Sequence, residues 1–233
     1  LSQFSNILNQ NLSGSTAWEA NLLYSKNKAG EGLSTTLKIS SNLIGMEVNL
    51  PEPFSKKDYE STALVITKDL DADINPKTTF IYGDIKSDFK FQSYDKSKLH
   101  SINILLGDTK EVINKNPGIN ISGNIKYLNI NDWLKILPER SITVKKSEAL
   151  HLNANVIIDE LSYLGYTFPE SSVIADHYLH DWNFSISSPK IVGDILLSKI
   201  DDRNKHLIAN LESLNLESTT SDSNNNTNPA LLP

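Results

Sequence analysis

Cysteine is absent from this chain, which excludes disulfide staples and thiolate chemistry and leaves the compartment undecided. Long hydrophobic runs are absent too. No stretch approaches the roughly 18 residues that a spanning helix needs, and no charged segment leading into an apolar one opens the chain. Basic runs are also missing, with 22 Lys and Arg set against 28 Asp and Glu for a net charge of −6. The lysines are interspersed with acids, so the footprint of a nucleic-acid binder is lacking and nucleic acid is not an expected partner. Apolar residues are in short supply, at 39% of 233 residues. That is lean for a thick closed core and better suited to a shell or groove.

Motifs that carry chemistry are equally scarce. There is no Gly-x-Ser-x-Gly elbow, no His-Glu-x-x-His helix and no phosphate-cradling loop, since Gly30-Glu31-Gly32 has Thr35 where a third glycine belongs. Asp69-Leu70-Asp71-Ala72-Asp73-Ile74-Asn75 imitates half a calcium loop, but Ile74 occupies the glycine position and Phe80 the bidentate glutamate position. Asp176-His177-Tyr178-Leu179-His180-Asp181 gathers two imidazoles and two carboxylates. On a strand His177 and His180 would point to opposite faces, so a solvated turn before Trp182 fits better than a metal site. The expectation is a protein that is not an enzyme and takes no cofactor or metal.

What the chain does have is alternation with a period of two, the signature of half-buried strands. Trp18, Ala20, Leu22 and Tyr24 share one face, and Leu33, Thr35, Leu37 and Ile39 repeat the pattern after a loop at residues 26–32. It continues through residues 63–67, 78–82, 85–91, 99–106, 119–127, 150–158, 163–168, 172–177, 181–187, 191–197 and 207–214. Turn residues separate these segments, so an antiparallel meander is predicted. Helix is confined to residues 1–13, read as a short helix or linker, and to Asp132 to Leu137, with Asn131 as cap and Pro138 as stop. Gly83, Gly123 and Gly193 each precede Asx and Ile, a weak echo that reads as strand entries after turns. Residues 217–233 form a Ser/Thr/Asn-rich linker.

The most specific stretch runs from Gly14 to Lys56. A Trp18 strand leads into Ser41-Asn42-Leu43-Ile44-Gly45-Met46 and then Leu50-Pro51-Glu52-Pro53-Phe54-Ser55-Lys56. Two prolines one residue apart cannot both donate to a ladder, so Leu50 to Pro53 must leave the sheet or run along an edge. Gly45 marks a strand start or bulge.

This arrangement resembles the YhdP family, AsmA-like proteins of Gram-negative bacteria. In that family a Trp-bearing strand precedes Ser-x-Leu-x-Gly and Leu-Pro-x-Pro-x-x-Lys segments. Asn129-Ile130-Asn131-Asp132-Trp133-Leu134 is similar to its short Trp-bearing segment, and Trp182 to Leu197 to its strand pair around a glycine. Asn228-Pro229-Ala230-Leu231-Leu232-Pro233 is similar to its lead into a terminal module, departing at Asn228. The resemblance covers residues 14–233 and implies one piece of a longer chain, in keeping with Leu1 in place of Met. It implies a periplasmic segment of an inner-membrane-anchored protein that moves phospholipid toward the outer membrane. Neighbouring modules of the same chain and phospholipid acyl chains are then the expected partners.

The predicted fold is mainly β, a strongly curved antiparallel sheet forming a half-pipe or groove over residues 14–216, with minor helix. Phe89, Phe91, Ile102, Ile104, Ile121, Ile125, Trp182, Phe184, Ile186 and Ile195 would line one face. Half-buried sheets always carry an apolar face, usually packed on another layer. Here there is too little helix to cover roughly twelve strands unless the sheet folds over on itself, so the face is expected to be open to acyl chains. A closed β-sandwich serving as a spacer or adhesive module is the alternative.

Overall fold

Alternating strands must pair to satisfy their backbone groups, and the order in which they pair fixes the architecture. The structure is a computed structural model that describes residues 9–26, 33–70, 77–92, 99–108, 117–136, 151–179, 181–199 and 204–216. The strands in the first half are β1 (Leu12–Gly14), β2 (Glu19–Lys26), β3 (Leu33–Ser41), β4 (Met46–Val48), β5 (Leu64–Asp69), β6 (Lys77–Tyr82), β7 (Ile85–Phe91) and β8 (Leu99–Leu106). Then come β9 (Gly118–Asn129), helix α1 (Ile130–Ile136), β10 (Leu152–Tyr163), β11 (Tyr166–Tyr178), β12 (Asp181–Ser187), β13 (Ile191–Lys199) and β14 (Lys205–Leu214). Twelve strands join in one sheet, ordered β14-β13-β12-β11-β10-β9-β8-β7-β6-β5-β3-β2, while β1 and β4 pair separately. The large sheet is curved and does not close into a barrel, since β2 and β14 each have a single neighbour.

The meander holds except at two joins. β9 lies parallel to both β8 and β10. Parallel neighbours require the chain to cross back, and α1 falls within the second of these crossings. Strand periodicity is the same in either direction, which is why alternation does not reveal the switch. A further departure concerns residues 163–168, predicted as a separate strand. They span the turn of a long hairpin instead, with Leu164 and Gly165 at positive φ between β10 and β11. Gly83 does sit in a turn, whereas Gly123 and Gly193 lie inside strands. Gly193 marks a bulge where a Cβ would approach Asn210 O to within 2.4 Å, so close backbone contact and not a turn explains it.

At the N-terminus residues 9–11 are helical and β1 follows at once; residues 1–8, like the tail linker at 217–233, lie outside the described residues. Helix α1 is capped two residues earlier than predicted, with Asn129 Oδ1 accepting from the Asn131 N–H at 3.0 Å. The buried core gathers Ile85, Leu106, Val156, Ile158, Leu161, Phe168 and Ile191 from five strands of the large sheet. Ile158, at 1% exposure, is its most enclosed side chain. The step from Ile158 to Leu161 breaks alternation. Asp159 and Glu170 drop out of the ladder there, Glu170 at φ 48°, and the inward set shifts by one so that Leu161 faces Phe168.

Gly45 ties the small ribbon to the chain before the large sheet. Its N–H donates to Asp58 O at 2.7 Å and its carbonyl accepts from the Ser15 N–H at 3.0 Å. With φ at 90° a Cβ would sit 2.4 Å from Ser15 O. Gly45→Ala therefore combines backbone strain with a backbone clash, and we expect a loss of about 2 kcal/mol or more. Circular dichroism melting should show Tm lowered by about 4–8 °C.

Candidate functional site

Residues paired across neighbouring strands project to the same side, so the register can be followed as a row. Starting at β2, one row reads Ala20, Ile39, Ile66, Phe80, Ser87, Ile104, Ile121, Ala154, Ala175, Phe184, Ile195 and Ala209. It crosses all twelve strands and contains a single polar side chain, Ser87. A parallel row two residues along includes Leu22, Leu37, Phe89, Ile102, Ile119, Leu152, Trp182, Leu197 and Leu207, with Lys68, Thr78 and His177 at the intervening strands. On the other flank Tyr82, Ile85, Val156, Val173 and Ile186 face the same way.

The ten predicted face residues fall on this one side. Phe89 pairs with Ile102, Ile104 with Ile121, Ile125 with Ile158, Ile186 with Val173, and Phe184 with Ile195. Trp182 stacks on Phe184 with ring centroids 5.4 Å apart, and His177 lies 4.2 Å from Trp182, making a short aromatic array. Phe91, beyond the bulge at Lys90, follows Phe89 by alternation. All ten are partly buried; none is sealed and none stands fully exposed. Sequence reasoning left the N-terminal half out of this face, although Ile39, Ile66 and Phe80 lie in the same row. Their alternation was visible, but only pairing aligns it with the rest.

One border of the face is closed by a rim. The Pro51 to Lys56 segment leaves the sheet as the two prolines require and brings Phe54 against Tyr82, 6.4 Å between ring centroids, and edge-on to Trp133 at 5.7 Å. Trp133 Nε1 donates to Glu52 O at 3.0 Å and Tyr82 Oη to Phe54 O at 2.9 Å, so the loop, α1 and β6 are locked together. Lys56 is 1% exposed, and its Nζ donates to Met46 O and Lys57 O, both at 2.7 Å. The Leu-Pro-x-Pro-x-x-Lys pattern thus has a physical basis: prolines turn the chain, Phe54 plugs the rim and Lys56 satisfies inward-facing carbonyls. Its role was missed because a lysine in a loop reads as solvated.

The opposite side of the sheet is polar. A trough of about 700 Å³ crosses β6 to β11 there, bordered by Thr79, Asp88, Asn103, Asn120, Asn153 and Asp176. Lys77 pairs with Asp88 at 2.9 Å and His151 Nε2 lies 2.7 Å from Asp176 Oδ2. Asp176 and His177 thus face opposite ways, one toward His151 and the other toward Trp182; His180 lies outside the described residues, as do residues 71–76 of the calcium-like loop. Among the described residues no group of three or more His, Cys, Asp or Glu side chains could hold a metal, and no helix is long and apolar enough to cross a membrane.

An open sheet that keeps an apolar face, rimmed along one border, defines the class of protein as a β-scaffold with one face lightly covered. The family model described as YhdP protein matches residues 1–233, and the chain belongs to that family. No curated protein and no solved structure gives a match.

The rim also carries a shifted acid–base group. Burial, reinforced by Glu52 and Glu60, pushes the Tyr82 phenol from 10.0 up to about 12. The folded state holds this proton more tightly than the unfolded chain, so its contribution is complete below pH 10 and is lost as pH rises toward 12. Denaturant midpoints measured from pH 9 upward should fall more steeply in the parent than in Tyr82→Phe, which removes the titrating group. Parallel curves would show that the rim does not depend on the neutral phenol.

Proposed function

We propose that this sheet is a section of a lipid conduit, in which acyl chains travel along the apolar face while the protein spans an aqueous gap. The observation that carries this is the apolar row from Ala20 to Ala209, continuous across twelve strands and interrupted only by Ser87. Membership of the YhdP family supports a periplasmic setting within an inner-membrane-anchored protein, with phospholipid as cargo bound for the outer membrane. Each methylene kept out of water is worth about 0.8 kcal/mol, so a chain of about 15 carbons resists crossing water by on the order of 12 kcal/mol. A continuous apolar face lowers that barrier at every step without a tight site anywhere. The rim supplies a wall, and the unpartnered edges of β2 and β14 suit continuation into neighbouring modules of the same chain.

The test is a charge placed on the face. Ile102 is partly buried, so an aspartate there can stay hydrated, and we expect Ile102→Asp to melt within about 1.5 kcal/mol of the parent. Photocrosslinkers at Phe184 and Ile195 should then capture markedly less phospholipid than in the parent, whereas a crosslinker at Asn155 on the opposite face should capture little in either. A folded Ile102→Asp protein with undiminished crosslinking would defeat the conduit reading. An unfolded one would mean that the face is sealed, as in a sandwich spacer, because an unpaired buried charge costs several kcal/mol.

A further inference from the structure

The polar trough lies on the face that the conduit reading does not use. Its border residues form a second row in register, Thr79, Asp88, Asn103, Asn120, Asn153 and Asp176, one from each of six adjacent strands. Strands about 4.8 Å apart make this a line of polar groups about 24 Å long. A polar row is what a solvated sheet face carries, and Asp88 and Asp176 already pair with Lys77 and His151, but one member of the row is incomplete. Asn103 Oδ1 is buried without a hydrogen-bond partner among the described residues, which leaves an acceptor in need of a donor.

The other border alternates in character. It offers Ile81, Leu105 and Ile174 as apolar contacts, with Lys86 between the first two strands. Formal charge across the trough balances, two lysines (Lys77 and Lys86) against two aspartates (Asp88 and Asp176). A polyanion would meet the carboxylates and a polycation the lysines, so net charge on a ligand gains nothing. Carboxylate and amide groups in a row call instead for a ligand that both donates and accepts at regular intervals, while the apolar spots call for C–H surface. We propose that the trough binds a linear, uncharged oligosaccharide lying across the strands, its hydroxyls on the Thr79 to Asp176 row and its ring faces against Ile81, Leu105 and Ile174. The rise per sugar of an extended glycan is comparable to the strand spacing, so successive sugars meet successive strands.

The experiment titrates the full chain by calorimetry and amide chemical shifts with cellotetraose and with chitotetraose, using phosphorylethanolamine as a control of different chemistry. Saturable binding of at least one tetrasaccharide is expected, with shifts concentrated in β6 to β11. Asn103→Leu and Asn153→Leu should each weaken it about tenfold, as loss of one well-placed hydrogen bond does. Asn155→Leu, at an exposed position on the second border, tests the same site without disturbing buried groups and should weaken it too. Ile102→Asp, on the opposite face, should leave sugar binding unchanged, which separates this site from the lipid reading. Absence of saturable binding by both tetrasaccharides, equal affinity in the folded trough variants, or a preference for phosphorylethanolamine would overturn the proposal.

Discussion

The backbone ladder is the constraint on which everything else depends, because pairing register decides what each face of the sheet is made of. A slip of one residue at any join would turn the rest of the sheet inside out. Eleven joins separate Ala20 on β2 from Ala209 on β14, yet the apolar row passes through all of them. The irregularities respect this. The bulge between Lys90 and Phe91 falls at a strand end, and the one at Gly193 brings Leu214 to the apolar side opposite Ile191. Where the ladder skips Asp159 and Glu170, the change of parity is used to turn Leu161 and Phe168 into the core.

A sheet with two free edges and one lightly covered face lacks the layered core that stabilises most domains, so its rigidity must be concentrated somewhere. It lies along the Ile85, Leu106 and Ile158 border. There the Pro51 to Lys56 loop and α1 supply the missing layer through Phe54 and Ile130. The hydrogen bonds of Trp133 and Tyr82 both end on carbonyls of that loop, and Lys56 at its end donates to the carbonyls of Met46 on β4 and of Lys57. Covering one border and leaving the remainder partly buried is a compromise. A full second layer would add stability but would remove the surface from any ligand.

The strands were legible in the sequence because β-branched and aromatic residues alternate with polar ones, and alternation depends on one strand at a time. Relations between strands were harder to read. The parallel joins at β9 leave no mark on the period, and the long β10–β11 hairpin was divided because Leu164-Gly165 is a weaker turn signal than the break near Asp159. The ten apolar face residues were recognisable since each strand announces its own apolar side, whereas Ile39, Ile66 and Phe80 needed the register to be joined to them. Alternation places the expected groove on the apolar side, whereas the trough lies on the polar one. Asn, Asp and Thr on alternate positions look like ordinary solvated side chains until pairing brings them into line.

That alignment has a consequence for how the two faces can change. Side chains of opposite parity share a backbone but no surface, so Asn103 and Ile104 are adjacent in sequence and separated by the full thickness of the sheet. Substitutions can alter one face while leaving the other intact, provided that the strand still pairs. The polar row extends past the trough through Thr67 and Lys38 on one side and Asn183 on the other, ending at Leu196 and Ile208 near the β14 edge. There both faces become apolar, and the exposed Leu207, Ile208 and Leu211 stand on the edge strand itself. An edge of that composition is costly to leave in water. The two-faced character of the sheet therefore holds only while its interior strands remain interior, and continuation of the sheet beyond β14 would restore it to the last strand as well.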